Sequence, residues 1–305
     1  MSATSSATQR KTRATSLGRL RRRETLTAYG LVAPTLFGVA AFLLVPVLVL
    51  VVLSFAQWNV LGDPKLIGFD NWTSSLTNLE VWRSLGVTAL FVAIVVPAQI
   101  AVGLWLATML VRSLPGSTLI RTLLVLPWVC APVVLGIVWR WIFHYDGVIN
   151  NLFGINFGWM QSEATALPIV AFVQAWSQVG YVSLFFMAGL SAIPDSVIEA
   201  ARIDGANERQ VFWRIKLPLL KPTMFFVAVT GMISAFQSFD LVYSLAPGGG
   251  PGGTTDLIAA RIYNQAVPQS NIGQASVLAL ILFVALIVLT LVQNAYFSRN
   301  TTYER

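Results

Sequence analysis

Charged side chains divide this chain into long apolar stretches. No Lys, Arg, Asp or Glu lies between Glu24 and Asp63, between Arg83 and Arg112, or between Arg121 and Arg140. The same holds between Glu163 and Asp195, between Lys221 and Asp240, and between Arg261 and Arg299. A bilayer core about 30 Å thick needs roughly 20 apolar residues per helix. Each window is long enough, or nearly so, for one crossing. Only helices and closed barrels satisfy backbone polar groups in lipid, and these runs are too continuously apolar for alternating barrel strands. The pattern predicts an all-α membrane protein with six spans, over about 27–55, 85–111, 119–143, 167–192, 221–244 and 273–297. Pro34, Pro46, Pro97, Pro127 and Pro132 lie inside the windows. They are expected to kink helices without changing the count, since neighbouring helices can satisfy the freed groups.

The polar stretches between windows give an orientation. Arg10, Lys11, Arg13, Arg19, Arg21, Arg22 and Arg23 all precede the first window. Residues 1–24 read as a disordered basic tail on the cytoplasmic side, able to touch anionic lipid. Residues 25–305 then form the six-span transmembrane domain. Its first window is too long for a signal-peptide core and is expected to be retained. Arg112 and Arg121, and then Arg202, Arg209, Arg214, Lys216 and Lys221, fall inside with both termini. The segments 56–84, 144–166 and 245–272 fall outside.

Composition agrees. Hydrophobic residues make up 56% of the 305 and charged ones 11%, with a mean hydropathy of +0.70. The net charge of +7 does not imply nucleic acid, because its basic residues follow the topology. One His and one Cys make an intrachain zinc site implausible. No acid lies within the six windows, which argues against an ion-coupled secondary transporter. Little in the spans could perform catalysis. Gly248 to Thr255 superficially resembles a phosphate-binding loop but lacks its lysine. It reads as a flexible outer turn.

The cytoplasmic stretch 194–222 carries the densest local signals. Ser196 with Glu199 reads as a capping box starting a helix near Val197. Gly205 is placed to end it in a left-handed conformation. Asn207 with Gln210 reads as a second helix start. Val211, Phe212 and Ile215 would share an apolar face, and Pro218 would close the second helix or join it to the fifth span. A short helix, a turn and a short helix result, with an apolar face that needs a partner.

These residues also resemble a family. Glu199-Ala200-Ala201, three residues, Gly205, nine residues, then Ile215-x-Leu217-Pro218 matches the EAA loop of ABC importer permeases at every fixed position. The Ala33-Pro34 span, Gly68-Phe69-Asp70-Asn71-Trp72 and Gly248-Gly249-Gly250-Pro251 are similar to the carbohydrate-uptake branch. The chain also looks like the mycobacterial Usp-type permeases, linked to sugar or amino-sugar uptake. The resemblance implies the type I importer permease fold, with a cytoplasmic coupling-helix hairpin, in a bacterial cytoplasmic membrane. Glu199, Ala200, Ala201, Asp204, Gly205, Ile215, Leu217 and Pro218 would then contact an ATPase, with Glu199 pairing to a basic residue there. Two ATP-binding subunits holding ATP and Mg, a second permease subunit, and an external or lipid-anchored substrate-binding protein would complete the machine. Gly248, Gly249, Gly250 and Pro251 would meet that binding protein. The cargo implied is a sugar; permeases for non-sugar solutes share the loop.

Polar side chains within the spans are the remaining candidates. Gln174, Gln178 and Tyr181 in the fourth window, and Gln237 and Asp240 in the fifth, would line a passage. The alternative is that they bond helix to helix.

Overall fold

The computed structural model describes residue 25 and residues 27–59, 62–111 and 116–300, with the side chains of 298–300 outside that description. The expected basic tail and Arg112 lie outside the described residues.

The first window forms helix α1, Thr27–Leu53, a body described by itself. At 1.5 Å per residue its 27 residues span about 40 Å. Pro46 lacks an N–H, and its ring presses on the carbonyl four residues back. The helix widens into a π turn over Ala40–Leu44 just before it. The same device recurs at Pro218, which follows a π turn over Phe212–Lys216. In both places the proline is accommodated without ending the helix.

The second body begins at Ser54. A small antiparallel clasp pairs Ala56–Gln57 (β1) with Lys65–Leu66 (β2). Helix α2 (Asp70–Thr77) follows, then the long α3 (Leu79–Leu110). The third window is not one helix. It breaks into α4 (Ser117–Val129) and α5 (Pro132–Ile142), whose axes differ by 97°. A proline forces its predecessor away from helical backbone; Ala131 has ψ 126°. Pro132 therefore starts a helix, while Pro97 and Pro127 stay inside theirs.

A short α6 (Val148–Phe153) leads to α7 (Glu163–Ser191). The hairpin helices α8 (Asp195–Ile203) and α9 (Glu208–Leu219) come next. Helix α10 (Lys221–Phe236) turns 64° away from α9. Its 16 residues reach about 24 Å, short of a full crossing. The fifth window therefore also breaks, at residues 237–239, and resumes as α11 (Asp240–Leu245). Helix α12 (Ile258–Ala266) and the long α13 (Ile272–Asn300) complete the chain. Among the described residues four helices are long and apolar enough to cross a membrane, and the two bent pairs raise the number to six if each is one span.

Helices α3 and α7 form the central pair. Close approach is made by glycine: a Cβ on Gly103 would lie 2.5 Å from Val182, and one on Gly180 would lie 1.8 Å from the Leu124 carbonyl. Small residues at crossings are what helix packing in lipid requires. Two apolar cores run along this pair. One holds Phe91, Val95, Val170, Val173, Leu245 and Leu278; the other holds Ala107, Val182, Phe186, Leu190, Leu220 and Val227.

Candidate functional site: a hairpin, a polar seam and an outer loop

The hairpin forms with the expected turn and one expected cap. Gly205 has φ +85°, a conformation that costs other residues through their Cβ. Ala206 N–H donates to the Ala201 carbonyl at 2.9 Å, and Gly205 N–H to the Arg202 carbonyl at 3.1 Å. These bonds close the end of α8. Asn207 and Gln210 make a reciprocal capping box: Gln210 N–H donates to Asn207 Oδ1 at 2.9 Å, and Asn207 N–H to Gln210 Oε1 at 2.8 Å. The box expected at Ser196 and Glu199 is absent. Helix α8 starts earlier, at Asp195, capped by Pro194 with no side-chain bond. Pro194, at φ −61° and ψ 133°, sets the entry, and Asp195 meets the positive helix end. Glu199 is thereby released from capping and stands exposed.

Burial separates the hairpin's two faces. Val211 is fully buried, with Phe212 and Ile215 half-buried beside it, as the shared apolar face requires. Glu199, Ala200, Asp204, Gly205 and Pro218 are exposed, while Ala201 and Leu217 are half-buried. Ile203 is 87% exposed and Trp213 58%. Ile203 is thus an apolar side chain left exposed on a polar excursion. Spacing alone did not single it out. Behind the hairpin lies a cavity of about 570 Å³, lined by Thr108, Leu190, Asp195, Arg202, Glu208 and Lys216.

The passage candidates divide three ways. Gln174 is buried and accepts a hydrogen bond from Ser238 Oγ at 3.0 Å, so it ties α7 to the break after α10. Gln178 and Tyr181 line a cavity of about 160 Å³ with Trp128, Thr230 and Ser234. Gln237 and Asp240 do not reach it; both are exposed at the break between α10 and α11. Gln99 of α3, which the sequence pattern did not single out, also lines the cavity. It is 1% exposed, and its Nε2 has no hydrogen-bond partner. The residue sits two positions after Pro97 in an uncharged window, and its isolated polarity there was the available signal. The cavity falls where one apolar core gives way to the other on α3, α7 and α10.

The glycine-rich loop read as a flexible turn carries a set of hydrogen bonds. Gly248, Gly249 and Gly250 have φ between +70° and +83°. Thr255 N–H donates to the Gly249 carbonyl at 2.9 Å, and Arg83 donates to the Gly252 carbonyl. Beside the loop, Arg261 contacts Asp256 at 2.6 Å and Glu80 at 3.0 Å. Ser84 Oγ accepts from Arg261 Nε at 2.7 Å and donates to Asp256 at 2.8 Å. Burial alone would lower the Arg261 pKa, but the hydrogen bonds to Glu80 and Asp256 outweigh it and the net shift is upward. The Gly68–Trp72 segment is a clasp: Asn71 Nδ2 donates to the carbonyls of Ser54 and Ala56 at 3.1 and 2.9 Å. The aromatic side chains around Arg140 divide. Trp141 is exposed, but Trp139 packs on Phe143, Phe172 and Trp176. Among the described residues no cluster of His, Cys, Asp or Glu could hold a metal.

Comparison with known proteins agrees with this geometry. The probable ABC transporter permease protein YesP of Bacillus subtilis is 36% identical over 279 residues, covering 89% of this chain and 90% of that protein. The sn-glycerol-3-phosphate transport system permease protein UgpA of Brucella abortus is 34% identical over 281 residues, covering 90% and 96%. A chain from the crystal structure of a bacterial ABC transporter involved in import of the acidic polysaccharide alginate superposes with a TM-score of 0.81. That match covers 94% of this chain and 99% of the other, at 22% identity, and shows the shared fold. Residues 99–302 match the family model for the inner membrane component of binding-protein-dependent transport systems. The chain belongs to that family of ABC importer permeases.

Proposed function

We propose that this chain is one half of the membrane pathway of an ABC importer for a sugar or a related polyol. Two ATPase subunits drive it through the 194–220 hairpin, and the ATP and Mg are held by them. The observation that carries the reading is the hairpin itself. The EAA, glycine and I-x-L-P positions fold into helix, left-handed turn and helix, with Glu199 and Ile203 presented outward. A rigid two-helix knob with an exposed apolar residue suits docking in a cleft of another protein. A sugar-like cargo is supported by the relatives' names, which specify sn-glycerol-3-phosphate for one and an acidic polysaccharide for a structural neighbour.

The distribution of basic residues supports a bacterial plasma-membrane topology with six spans and both termini cytoplasmic. A second permease completes the passage, and Gln237 and Asp240, exposed at the α10–α11 break, face it. A liganded binding protein docks over Gly248–Pro251 outside. Closure of the ATPases on ATP moves the hairpin, and the bundle exchanges inward for outward access. No step requires chemistry on the cargo by this chain.

The test is purification of the complex carrying Glu199→Ala or Gly205→Val. ATPase retention, or hydrolysis stimulated by the binding protein, is expected to fall at least about tenfold, the effect of losing one contact worth about 1.4 kcal/mol. Wild-type retention and stimulation in both variants would sink the coupling role.

A further inference from the structure

The cavity at the seam between the two cores contains a buried polar group with no assigned work. Gln99 lies on α3 opposite Gly231 of α10, and an ideal Cβ at position 231 would lie 2.1 Å from Gln99 Nε2. Glycine is therefore what leaves room for the amide. That amide nitrogen is buried and without a hydrogen-bond partner. An unpaired buried donor is costly compared with an apolar side chain of similar size. Nothing in the packing explains why a leucine would not serve better there. An amide held at the edge of a cavity does explain it.

The rest of the lining defines the chemistry. Gln178 and Ser234 add polar groups and Tyr181 a phenol, and no charged residue lines the space. Trp128 stacks on Tyr181, with ring centroids 4.7 Å apart and planes 17° from parallel, which makes one wall an aromatic platform. At about 160 Å³ the cavity is smaller than the roughly 300 Å³ at which pockets for drug-sized ligands begin. We infer that Gln99 is a solute-contacting residue of the passage, and that this cavity takes one uncharged, hydroxyl-rich ring at a time. Gln99 and Gln178 hydrogen-bond its hydroxyls, and the Trp128–Tyr181 wall covers its C–H face. The inference rests on the importer reading. It adds selectivity against a charged group at this point in the pathway, since an ion there would have no counter-charge.

The whole importer in its native membrane provides the test. In a Cys130→Ser background, Gln99→Cys is treated with water-borne 2-aminoethyl methanethiosulfonate, with Val95→Cys as the core control. Modification at position 99 but not at position 95 is expected. A thiol at position 99 that stays unmodified overturns the inference. Gln99→Leu is then compared with wild type, using labelled maltose, trehalose and sn-glycerol 3-phosphate. For any neutral probe that wild type carries, initial uptake is expected to drop about tenfold, as for loss of one hydrogen bond at the upper end of its range. The unfolding temperature should stay level or rise. A purely structural glutamine gives the opposite pattern, with uptake unchanged, and that result also overturns the inference. If wild type carries none of the three, reactivity at position 99 decides alone. The importer reading fails differently, through nucleotide hydrolysis indifferent to Glu199.

Discussion

The hairpin and the glycine-rich loop flank the same broken fifth window, yet they are held in opposite ways. The hairpin is made by near neighbours. Its caps and turn join residues three to six apart, and its apolar Ile203 faces outward. The glycine-rich loop is fixed by distant partners. Arg83 reaches the Gly252 carbonyl, Ser84 reaches Asp256, and Glu80 reaches Arg261, across 169 to 181 residues of sequence. A locally built knob can shift as a unit without unmaking its own bonds. A loop bonded into the head of α3 moves only with that helix. The contrast is between local support at the hairpin and long-range support at the loop.

The largest expected effect lies at the loop. Arg261→Ala leaves Asp256 and Ser84 without the guanidinium that joins them, and these side chains are mostly buried. Breaking a buried pair costs about 3–5 kcal/mol; with Asp256 18% exposed, about 2–3 kcal/mol is expected. Thermal unfolding of the complex should drop by several degrees. The raised Arg261 pKa means that its contribution is complete below the ordinary arginine value and lost only above the still higher folded value. The arginine therefore confers no pH dependence on stability between roughly pH 6 and 9. A variant that unfolds at the wild-type temperature would remove the distinction between the two ends.

At the knob, Ile203→Asp should act on association and not on folding. The residue is 87% exposed, so intrinsic stability is expected to move by less than about 0.5 kcal/mol. Loss of a central apolar anchor in an interface costs about 2 kcal/mol, roughly thirtyfold in affinity. Titration of purified ATPase onto the permease complex measures this directly. An equal fall in unfolding temperature and affinity would make Ile203 a folding residue.

Gly205→Ala tests the turn between them. Its open surroundings offer no clash, so the cost is conformational alone, about 1–2 kcal/mol for a side chain at φ +85°. Gly205→Asn should recover most of it, because Asn tolerates this conformation. Coupling ratio, meaning solute carried per nucleotide hydrolysed, is the measurement that should follow the same order.

The same local-versus-distant division decides what was legible in the sequence. Gly205, the Asn207–Gln210 box and the apolar set Val211, Phe212 and Ile215 could be read because each rests on residues within one or two helical turns. The Ser196–Glu199 box failed because Pro194, also local, competes for the same helix start and wins. The breaks at 130–131 and 237–239 were hidden inside uncharged windows, where hydropathy sees only lipid compatibility. Pro127 and Pro132 looked alike in sequence, but one stays within a helix and the other begins one. Gln99, Gln178 and Tyr181 share a cavity only because α3, α7 and α10 cross there, with Gly103 facing Val182 and Gly231 facing Gln99. No periodicity within a single window contains that information.

The smallest expected effect is also the sharpest check on the hairpin's self-sufficiency. Arg202 and Glu208 pair at 2.8 Å across the turn, but their side chains are 51% and 60% exposed. Such a pair contributes at most about 0.5 kcal/mol and is screened by salt. Arg202→Ala should therefore leave the unfolding temperature within a degree or two of wild type at any ionic strength. The Gly205 turn and the Asn207–Gln210 bonds, which carry the geometry, do not involve this side chain. A large or strongly salt-dependent loss would mean that the ion pair, facing the 570 Å³ cavity, braces the hairpin against the bundle. The hairpin would then be tethered like the glycine-rich loop, and the contrast between local and distant support would disappear.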